Sequence, residues 1–503
     1  MSQIRKQSIL SSVLVYIGFA LGLLNTYLFT RQGGFTSEEY GLTSIFIAIA
    51  SIMFSVSNLG MNAYIGKFYP YYNDNLPKKK NDQVAWALLI SMLGFSCVII
   101  AGIIFKNFVI RKFGGNSPYL ITYYHWIFLF GLGLSLYSLF EAYAWQLRKA
   151  VFTTYLREIQ FRLLTTILIV LTMWGVIHSF DLFIKIYSFS YLILSATLII
   201  YLIISGHLHF TFSISIVTRK FFKKILTLIS FVYGGSLVFM IASVFDTIVI
   251  SAVMKDGLAF AGIFALAQNI ASMIQAPQRG IIASASPALA QAWKDKQMAK
   301  IGRIYHRSSI NQLIFAIGIF SLIWLNFTDG ILTFKVQHQF LDAKWVFFFI
   351  GMTRIVDMGT GVNSQIIGTS TNWRFEFITG IILLCLTLPF NYLLTKSMGV
   401  VGPAVSNLIT FSIYNLMRYI FLLKKYKLQP FDAKTLYIIL LGIGSFVIVY
   451  YPFNNYHGFL WLVIRSICFL ALYISGTLLL KISPDVLPVW LTILKRIGIR
   501  KEI

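Results

Sequence analysis

The sequence predicts an all-α polytopic membrane protein with about fourteen transmembrane helices, and two observations lead to that prediction. Of the 503 residues, 57% are apolar and only 12% are charged, whereas soluble domains carry roughly 25% charged residues. Apolar runs of about 20 residues, the length that crosses a hydrocarbon core, recur along the chain. The predicted spans are 8–30, 40–66, 84–105, 119–146, 157–177, 182–205, 224–254, 257–291, 308–327, 344–368, 373–396, 399–423, 434–452 and 458–480.

The distribution of basic residues between the loops predicts the orientation of these spans. With the N-terminus in the cytoplasm, 29 of the 42 Lys and Arg residues fall on the cytoplasmic side, 9 on the opposite side and 4 inside spans. Such an excess is typical of cytoplasmic loops, so both termini are predicted to be cytoplasmic. The net charge of +25 therefore reflects membrane topology, and no nucleic-acid partner is expected.

The sequence contains none of the usual signals of an enzyme. No loop is long enough for a soluble domain, and no phosphate-binding G-x-x-x-x-G-K-[ST] loop, nucleophile triad or metal-ligand cluster is present. The three cysteines, Cys97, Cys385 and Cys468, lie in apolar runs and are interpreted as packing residues. We therefore expect a transporter without a cofactor or metal, and leave coupling to H⁺ or Na⁺ open.

An internal repeat relates the first two helices to the seventh and eighth. When the first pair is shifted by 221 residues, polar and small positions coincide. The coinciding pairs are Gly41 with Gly262, Ser51 with Ser272, Thr30 with Ser251, Asn25 with Asp246, and Asn58 with Arg279. Six helices separate the copies, which predicts a parallel pseudo-twofold repeat about an axis normal to the membrane. The predicted domains are two six-helix lobes, 1–215 and 216–430, and an extra helix pair with a cytoplasmic tail, 431–503.

Ionisable and amide side chains inside the spans are the candidate substrate-binding residues. Such groups are costly at membrane depth, so they usually face a cavity or a partner. The guanidinium group stays charged and presents a planar fork of donors that suits phosphate, so the arginines favour an anionic cargo. The candidates are Arg279, Arg354, Asp357, Asp246, Asn25, Asn58, Asn269 and Gln275.

Two alternatives apply to these candidates. Arg354 and Asp357 share a helix face at i and i+3, so they could form a local pair that only neutralises itself. For each amide the alternative is an interhelical hydrogen bond, which membrane helices commonly use. Arg418, close to the end of its span, is expected to extend to the interface, and Arg465 is interpreted as structural or partner-facing.

Helix geometry predicts the depths of the candidates. At 1.5 Å per residue, Asp246 lies about 13 Å from the outer end of the seventh span and Arg354 about 15 Å into the tenth, while Arg279 lies about 33 Å along the eighth. Asp246 and Arg279 are therefore expected to be separate outer and inner positions on one path. The eighth span is too long for one straight crossing, and Pro277 and Pro287 are places where it can bend. The alternatives are a helix that extends beyond the bilayer or one that tilts strongly.

The segment 6–72 resembles the start of Wzx-type polysaccharide flippases, members of the multidrug/oligosaccharidyl-lipid/polysaccharide exporter superfamily. The shared marks are a basic N-terminus, a glycine-containing first helix, the F-T-x-E-x-Y-G turn at 35–41, and a second helix that ends in N-L-G at 58–60. The resemblance extends diffusely over the whole length. It implies a V-shaped, two-lobed fold with a cationic central cavity, which Arg279 and Arg354 match.

The resemblance also implies a function. Such proteins move undecaprenyl-pyrophosphate-linked oligosaccharides, including O-antigen units of lipopolysaccharide, across the bacterial inner membrane by alternating access. The expected partners are this substrate, membrane lipids, and a polysaccharide polymerase with its chain-length machinery. The alternatives within the superfamily are a lipid II flippase and a multidrug/ion antiporter. The alternative from another class is a membrane polysaccharide polymerase or ligase, which would present a sizeable outer loop.

Overall fold

The computed structural model describes residues 3–485, which form helices and no β-strand. The helices up to residue 272 are α1 (Gln3–Thr30), α2 (Ser37–Asn58), α3 (Met61–Asn75), α4 (Gln83–Ile104), α5 (Lys106–Phe113), α6 (Pro118–Thr122), α7 (Tyr124–Gln146), α8 (Ala150–Tyr155), α9 (Phe161–Met173), α10 (Phe180–Tyr187), α11 (Ser190–Ile204), α12 (Ile216–Val253) and α13 (Gly257–Ser272). The later helices are α14 (Ala276–Lys294), α15 (Met298–Thr333), α16 (Ala343–Gly359), α17 (Asn363–Thr369), α18 (Trp373–Met398), α19 (Gly402–Tyr426), α20 (Ala433–Phe453) and α21 (Phe459–Leu479).

The predicted fold class is confirmed. Within the described residues, ten helices are long and apolar enough to cross a membrane, or up to twelve if each of two bent pairs is one span. One of the ten stretches, Arg374–Tyr426, contains both α18 and α19. The fifth predicted span, 157–177, covers α9 and the π-helical turn Leu156–Gln160 before it. Each of the fourteen predicted spans therefore coincides with one or more helices.

The structure divides into two compact units, Met1–Ala265 and Leu266–Ile503. The predicted lobes, 1–215 and 216–430, rest instead on the sequence repeat. Their boundaries, and that of the region 431–503, stay predictions.

The F-T-x-E-x-Y-G turn is a capping box at the start of α2. The hydroxyl of Thr36 accepts a hydrogen bond from the Glu39 backbone nitrogen at 3.2 Å, and the Glu39 carboxylate accepts one from the Thr36 nitrogen at 2.7 Å. Two backbone donors that a helix start leaves unpaired are thereby satisfied. At its other end α2 stops where Leu59 and Gly60 both have positive φ, 46° and 78°. The predicted span 40–66 is thus wrong in extent, because these left-handed residues end one helix before α3 begins.

Helices α2 and α13 meet at two glycines. A Cβ on Gly41 would collide with the Leu258 carbonyl and lie 2.9 Å from the Gly262 nitrogen. A Cβ on Gly262 would collide with the Ser37 carbonyl and lie 3.1 Å from the Gly41 nitrogen. The shift of 221 residues that relates the repeats maps Ser37 onto Leu258 and Gly41 onto Gly262. The contact is therefore self-complementary, as expected where equivalent residues meet on a twofold axis.

Helices α20 and α21 pack against α15. Ile317, Ile438 and Phe469 belong to one buried apolar cluster at this contact. Arg465 is buried at 3% exposure and forms an ion pair with Asp329 of α15. This geometry agrees with the interpretation of Arg465 as structural, because a buried guanidinium requires such a partner.

The segment after α21 is fixed to the N-terminal part of α15. The Asp485 carboxylate accepts hydrogen bonds from Arg307 Nε at 3.0 Å and from Asn311 Nδ2 at 2.8 Å. The hydrogen bond from Arg307 is the main reason that the pKa of Asp485 lies below its usual value.

The glycine contact leads to a stability prediction. We expect Gly41→Ala to lower the free energy of unfolding by about 1–3 kcal/mol, because its methyl group overpacks a backbone contact. The matched control is Gly234→Ala in α12, where a Cβ meets nothing within 4 Å. There the loss of glycine flexibility is expected to be neutral or stabilising by about 0.5–1 kcal/mol. Thermal unfolding of the detergent-purified variants measures both effects, and equal midpoints would contradict the contact.

Candidate functional site

The helices of the second unit are broken at two places, and the first break lies between α13 and α14. The axis bends by 51° across the residues between Ser272 and Ala276. Pro277, in the first positions of α14, has no backbone N–H, and Gln275 is the N-cap. The expectation that the eighth span bends at Pro277 is confirmed, whereas α14 continues through Pro287 to Lys294.

The second break lies between α16 and α17. The axis bends by 48° at Thr360–Val362, and Gly361 has φ +64°. A Cβ on Gly361 would lie 2.8 Å from Ser308 Oγ, so only glycine fits both the conformation and the space. The prediction of one helix over 344–368 is therefore wrong at this point.

The carboxylate of Asp357 joins the two breaks. It accepts a hydrogen bond from Gln278 Nε2, in the first turns of α14, at 3.1 Å. It accepts another from Asn415 Nδ2, on α19, at 3.3 Å. The side-chain oxygen of Asn415, Oδ1, in turn accepts hydrogen bonds from Thr360 Oγ1 and Asn363 Nδ2, both at 2.9 Å. One polar network thus connects both helix breaks to α19.

This network has a physical reason in a membrane protein. Broken backbone at membrane depth leaves polar groups that lipid cannot satisfy, so it occurs where protein or a water-filled cavity surrounds it. Transporters commonly build substrate and ion sites from such discontinuous helices. We therefore take the Asp357 network, consisting of Asp357, Gln278, Asn415, Thr360 and Asn363, as the centre of the candidate site.

Arg418 is an additional charged residue of the second unit, and its predicted behaviour is wrong. Instead of extending to the interface it is buried at 3% exposure and forms an ion pair with Glu376. It also donates a hydrogen bond to the hydroxyl of Tyr414. Packing of α18 against α19 brings Glu376 to it, a tertiary contact that outweighs the tendency of a lone arginine to reach water.

The remaining candidates of the second unit lie near the breaks. Arg279 follows Gln278 on α14 and is exposed, and a Cβ on the neighbouring Gly280 would meet open space. Arg354 is half-buried and lies one turn before Asp357 on α16. Gln275 is half-buried at the first break, and Asn269 is exposed near the end of α13. Three of these candidates thus lie within about a turn of a helix break or of Asp357, and Asn269 lies just before the first break.

The candidates of the first unit have different surroundings. Asn25 donates to the Arg162 carbonyl at 2.9 Å and accepts from Thr166 Oγ1 at 2.6 Å, which is the interhelical hydrogen bonding considered as its alternative. Asn58 donates to Asn62 Oδ1 at 2.9 Å. Asp246 is buried in α12 at 5% exposure.

One charged cluster of the first unit was missed by sequence reasoning. Arg162 forms an ion pair with Glu158 at 2.9 Å and donates to the carbonyl of Gly18 on α1. Arg157 lies 3.5 Å from Glu141 of α7. The cluster adjoins the π-helical turn Leu156–Gln160, a feature frequent at functional sites. Its signal in the sequence is the i, i+4 pair of Glu158 and Arg162 at the start of an apolar span.

Comparison with solved structures shows which known fold the chain has. No protein-family model matches the chain, and no curated protein matches it. Among solved structures it is similar to "Lipid II flippase MurJ, inward closed conformation", with a TM-score of 0.71 and 16% identity over 93% of this chain and 98% of that one. The chain has the MurJ and MATE fold.

Two MATE structures extend the comparison. The inward-facing conformation of a multidrug resistance MATE family transporter of the MOP superfamily has a TM-score of 0.64 and 15% identity over 81% of this chain and 94% of that one. The outward-facing conformation has a TM-score of 0.57 and 13% identity over 84% and 96%. Both MATE structures therefore share the overall fold of this chain.

The Asp357 network leads to a prediction. We expect Asp357→Asn to lower the free energy of unfolding by about 1–3 kcal/mol, because the new amide turns a donor toward Gln278 or Asn415 and leaves a donor unsatisfied. The matched control is Asp295→Asn, whose exposed carboxylate also accepts from a glutamine, Gln291 Nε2, at 2.9 Å. Its effect is expected to stay within about 0.5 kcal/mol. Thermal unfolding measures both variants, and equal losses would argue against a stabilising network at the helix breaks.

Proposed function

We propose that the chain is a flippase that moves undecaprenyl-pyrophosphate-linked oligosaccharide, such as an O-antigen or other polysaccharide repeat unit, across the bacterial inner membrane. The observation that carries the proposal is the fold shared with a lipid II flippase over 93% of this chain. The MATE structures cover less of it, 81% and 84%. This difference in coverage favours the flippase branch over the drug/ion antiporter.

The charge of the second unit supports an anionic head group as cargo. Arg279 is exposed in the first turns of α14, immediately after a helix break. The N-terminal end of a helix carries partial positive charge, which favours a phosphate there. A guanidinium binds phosphate through paired, charge-assisted hydrogen bonds. We propose that Arg279 and Arg354 attract the diphosphate, while the hydrogen bonds of Asp357 stabilise the two helix breaks.

The proposed contacts of the sugars and of the polyprenyl chain follow from their chemistry. Amides such as Gln275 and Asn269 would contact the hydroxyl groups of the sugars, while the polyprenyl chain stays in lipid. Asp246, Asn25 and Asn58 belong to the proposed path through the first unit. Transport by alternating access, and delivery to a polysaccharide polymerase with its chain-length machinery, complete the proposal. Coupling to H⁺ or Na⁺ is left open.

A lipid II flippase is the second candidate. The solved flippase to which the chain is similar carries that name. Both cargoes present a diphosphate on a polyprenyl chain, so the same arginines would serve either. Complementation separates them, because only a lipid II flippase would restore growth to a strain depleted of its own.

The arginines lead to a functional prediction. In a strain that lacks the chromosomal copy, we expect Arg279→Gln and Arg354→Gln each to lower surface polysaccharide roughly tenfold or more, since one charge-assisted hydrogen bond is worth about 1.5–3 kcal/mol. The matched control is Arg303→Gln, an exposed arginine on α15, which should retain transport.

Immunoblotting normalises the amount of each variant in the membrane. Wild-type polysaccharide in both Arg279→Gln and Arg354→Gln would overturn the assignment of these two arginines.

A further inference from the structure

A basic cavity lies between α3 and the N-terminal part of α12 in the first unit, whereas the candidate site belongs to the second unit. Its volume is about 600 Å³, and the residues that matter here are Lys67, Phe68, Tyr71, Phe221, Lys223 and Lys224. Among the described residues that line it, none is acidic. The cavity therefore combines three ammonium groups with an aromatic floor.

The walls of this cavity are fixed by buried polar contacts. The Asp82 carboxylate, fully buried, accepts from the backbone nitrogen of Ser215 at 2.9 Å and from Thr218 Oγ1 at 2.8 Å. The hydroxyl of Tyr72, on α3, lies 2.6 Å from Thr218 Oγ1. These bonds hold the start of α12 against α3 and α4. The cavity is thus a built feature of the first unit rather than a chance gap between side chains.

The aromatic floor is equally well defined. The rings of Tyr71 and Phe221 are 4.9 Å apart, and those of Phe68 and Phe221 are 5.9 Å apart. The ammonium of Lys224 lies 5.7 Å from the centre of the Phe221 ring. Ring contacts of this kind orient an ammonium group. Lys224 is also exposed, so its ammonium group can reach a ligand from solvent or lipid.

The position of the cavity relative to the bilayer follows from the length of α12. Its 38 residues span about 57 Å at 1.5 Å per residue, far more than a hydrocarbon core of about 30 Å. The basic N-terminal end, with Arg219 and Lys220 beside the cavity lysines, is the end expected at the cytoplasmic surface. Ile216 and Phe222, next to these charges, are 80% and 55% exposed. Apolar side chains interleaved with basic ones are typical of a segment at the lipid interface.

We propose that Lys67, Lys223 and Lys224 bind the phosphate group of an anionic phospholipid in the cytoplasmic leaflet. The lysines complement the negative headgroup, and Phe222 and Ile216 lie where its acyl chains begin. Basic clusters beside the cytoplasmic end of a membrane helix recognise anionic lipids by this charge complementarity. The site is independent of the transported cargo, because none of its residues belongs to the Asp357 network.

Lipid binding to the full-length protein in nanodiscs tests the proposal. Native mass spectrometry compares retention of phosphatidylglycerol, phosphatidylcholine and a polyprenyl diphosphate. We expect the wild type to retain phosphatidylglycerol over phosphatidylcholine, and K67Q/K223Q/K224Q to bind it roughly tenfold or more weakly, as each lysine near the surface is worth several-fold.

Two further variants keep the test decisive. K78Q/K79Q/K80Q removes the same charge from the exposed turn Lys78–Lys80 and should bind like the wild type. K67R/K223R/K224R keeps the charge and should retain the lipid. Three results would overturn the site. The first is an equal loss of phosphatidylglycerol binding in K67Q/K223Q/K224Q and K78Q/K79Q/K80Q. The others are a loss of polyprenyl diphosphate binding alone in K67Q/K223Q/K224Q, and displacement of the phospholipid by millimolar inorganic phosphate.

Discussion

The hydrogen bonds of the Asp357 carboxylate are the constraint on which the second unit depends. A helix that breaks inside a membrane must satisfy its polar groups within the protein. Asp357 does so for two breaks at once, through Gln278 at 3.1 Å and Asn415 at 3.3 Å. Two separate bends therefore share one acceptor. The exposed Arg279 directly follows Gln278, one of the two donors to that carboxylate.

The first unit depends on a different kind of contact. Where Gly41 and Gly262 meet, the absence of side chains lets two backbones approach as closely as membrane helices can. Residues that correspond in the sequence repeat face each other there. Close glycine packing characterises this unit, whereas polar bridging characterises the second unit, where Arg279 lies directly after a helix break.

Much of the fold could be predicted because it follows from composition and local signals. Apolar length indicated the spans and Pro277 indicated the bend in the eighth span, whereas the predicted span 40–66 continued past the end of α2 at Asn58. The break at Gly361 could not be predicted, because an isolated glycine in an apolar run also fits an unbroken helix. Its positive φ and the closeness of Ser308 and Ser309, which leave no room for a Cβ, are visible only in the folded chain.

The candidate site could be predicted only as a set of polar residues, not as a network. Sequence reasoning found Asp357 and Arg354 from their depth, but Asn415 and Gln278 become partners only through the packing of α14, α16 and α19. For Arg418 the environment predicted from the sequence was wrong, for the same reason. Its sequence position near Lys424 suggested an interfacial side chain, and only the packing of α18 on α19 reveals the buried pair with Glu376.

Reconstitution into liposomes tests most directly that this chain moves a lipid-linked anionic head group. The purified protein is incorporated with a fluorescent short oligosaccharide on a polyprenyl diphosphate, and a membrane-impermeant glycosidase reports the fraction on each side. The result predicted is protein-dependent movement of the diphosphate-linked lipid and none of a neutral lipid with the same sugars. Equal movement of both lipids, or movement of neither with proton-driven export of a cationic drug instead, would contradict the proposed function.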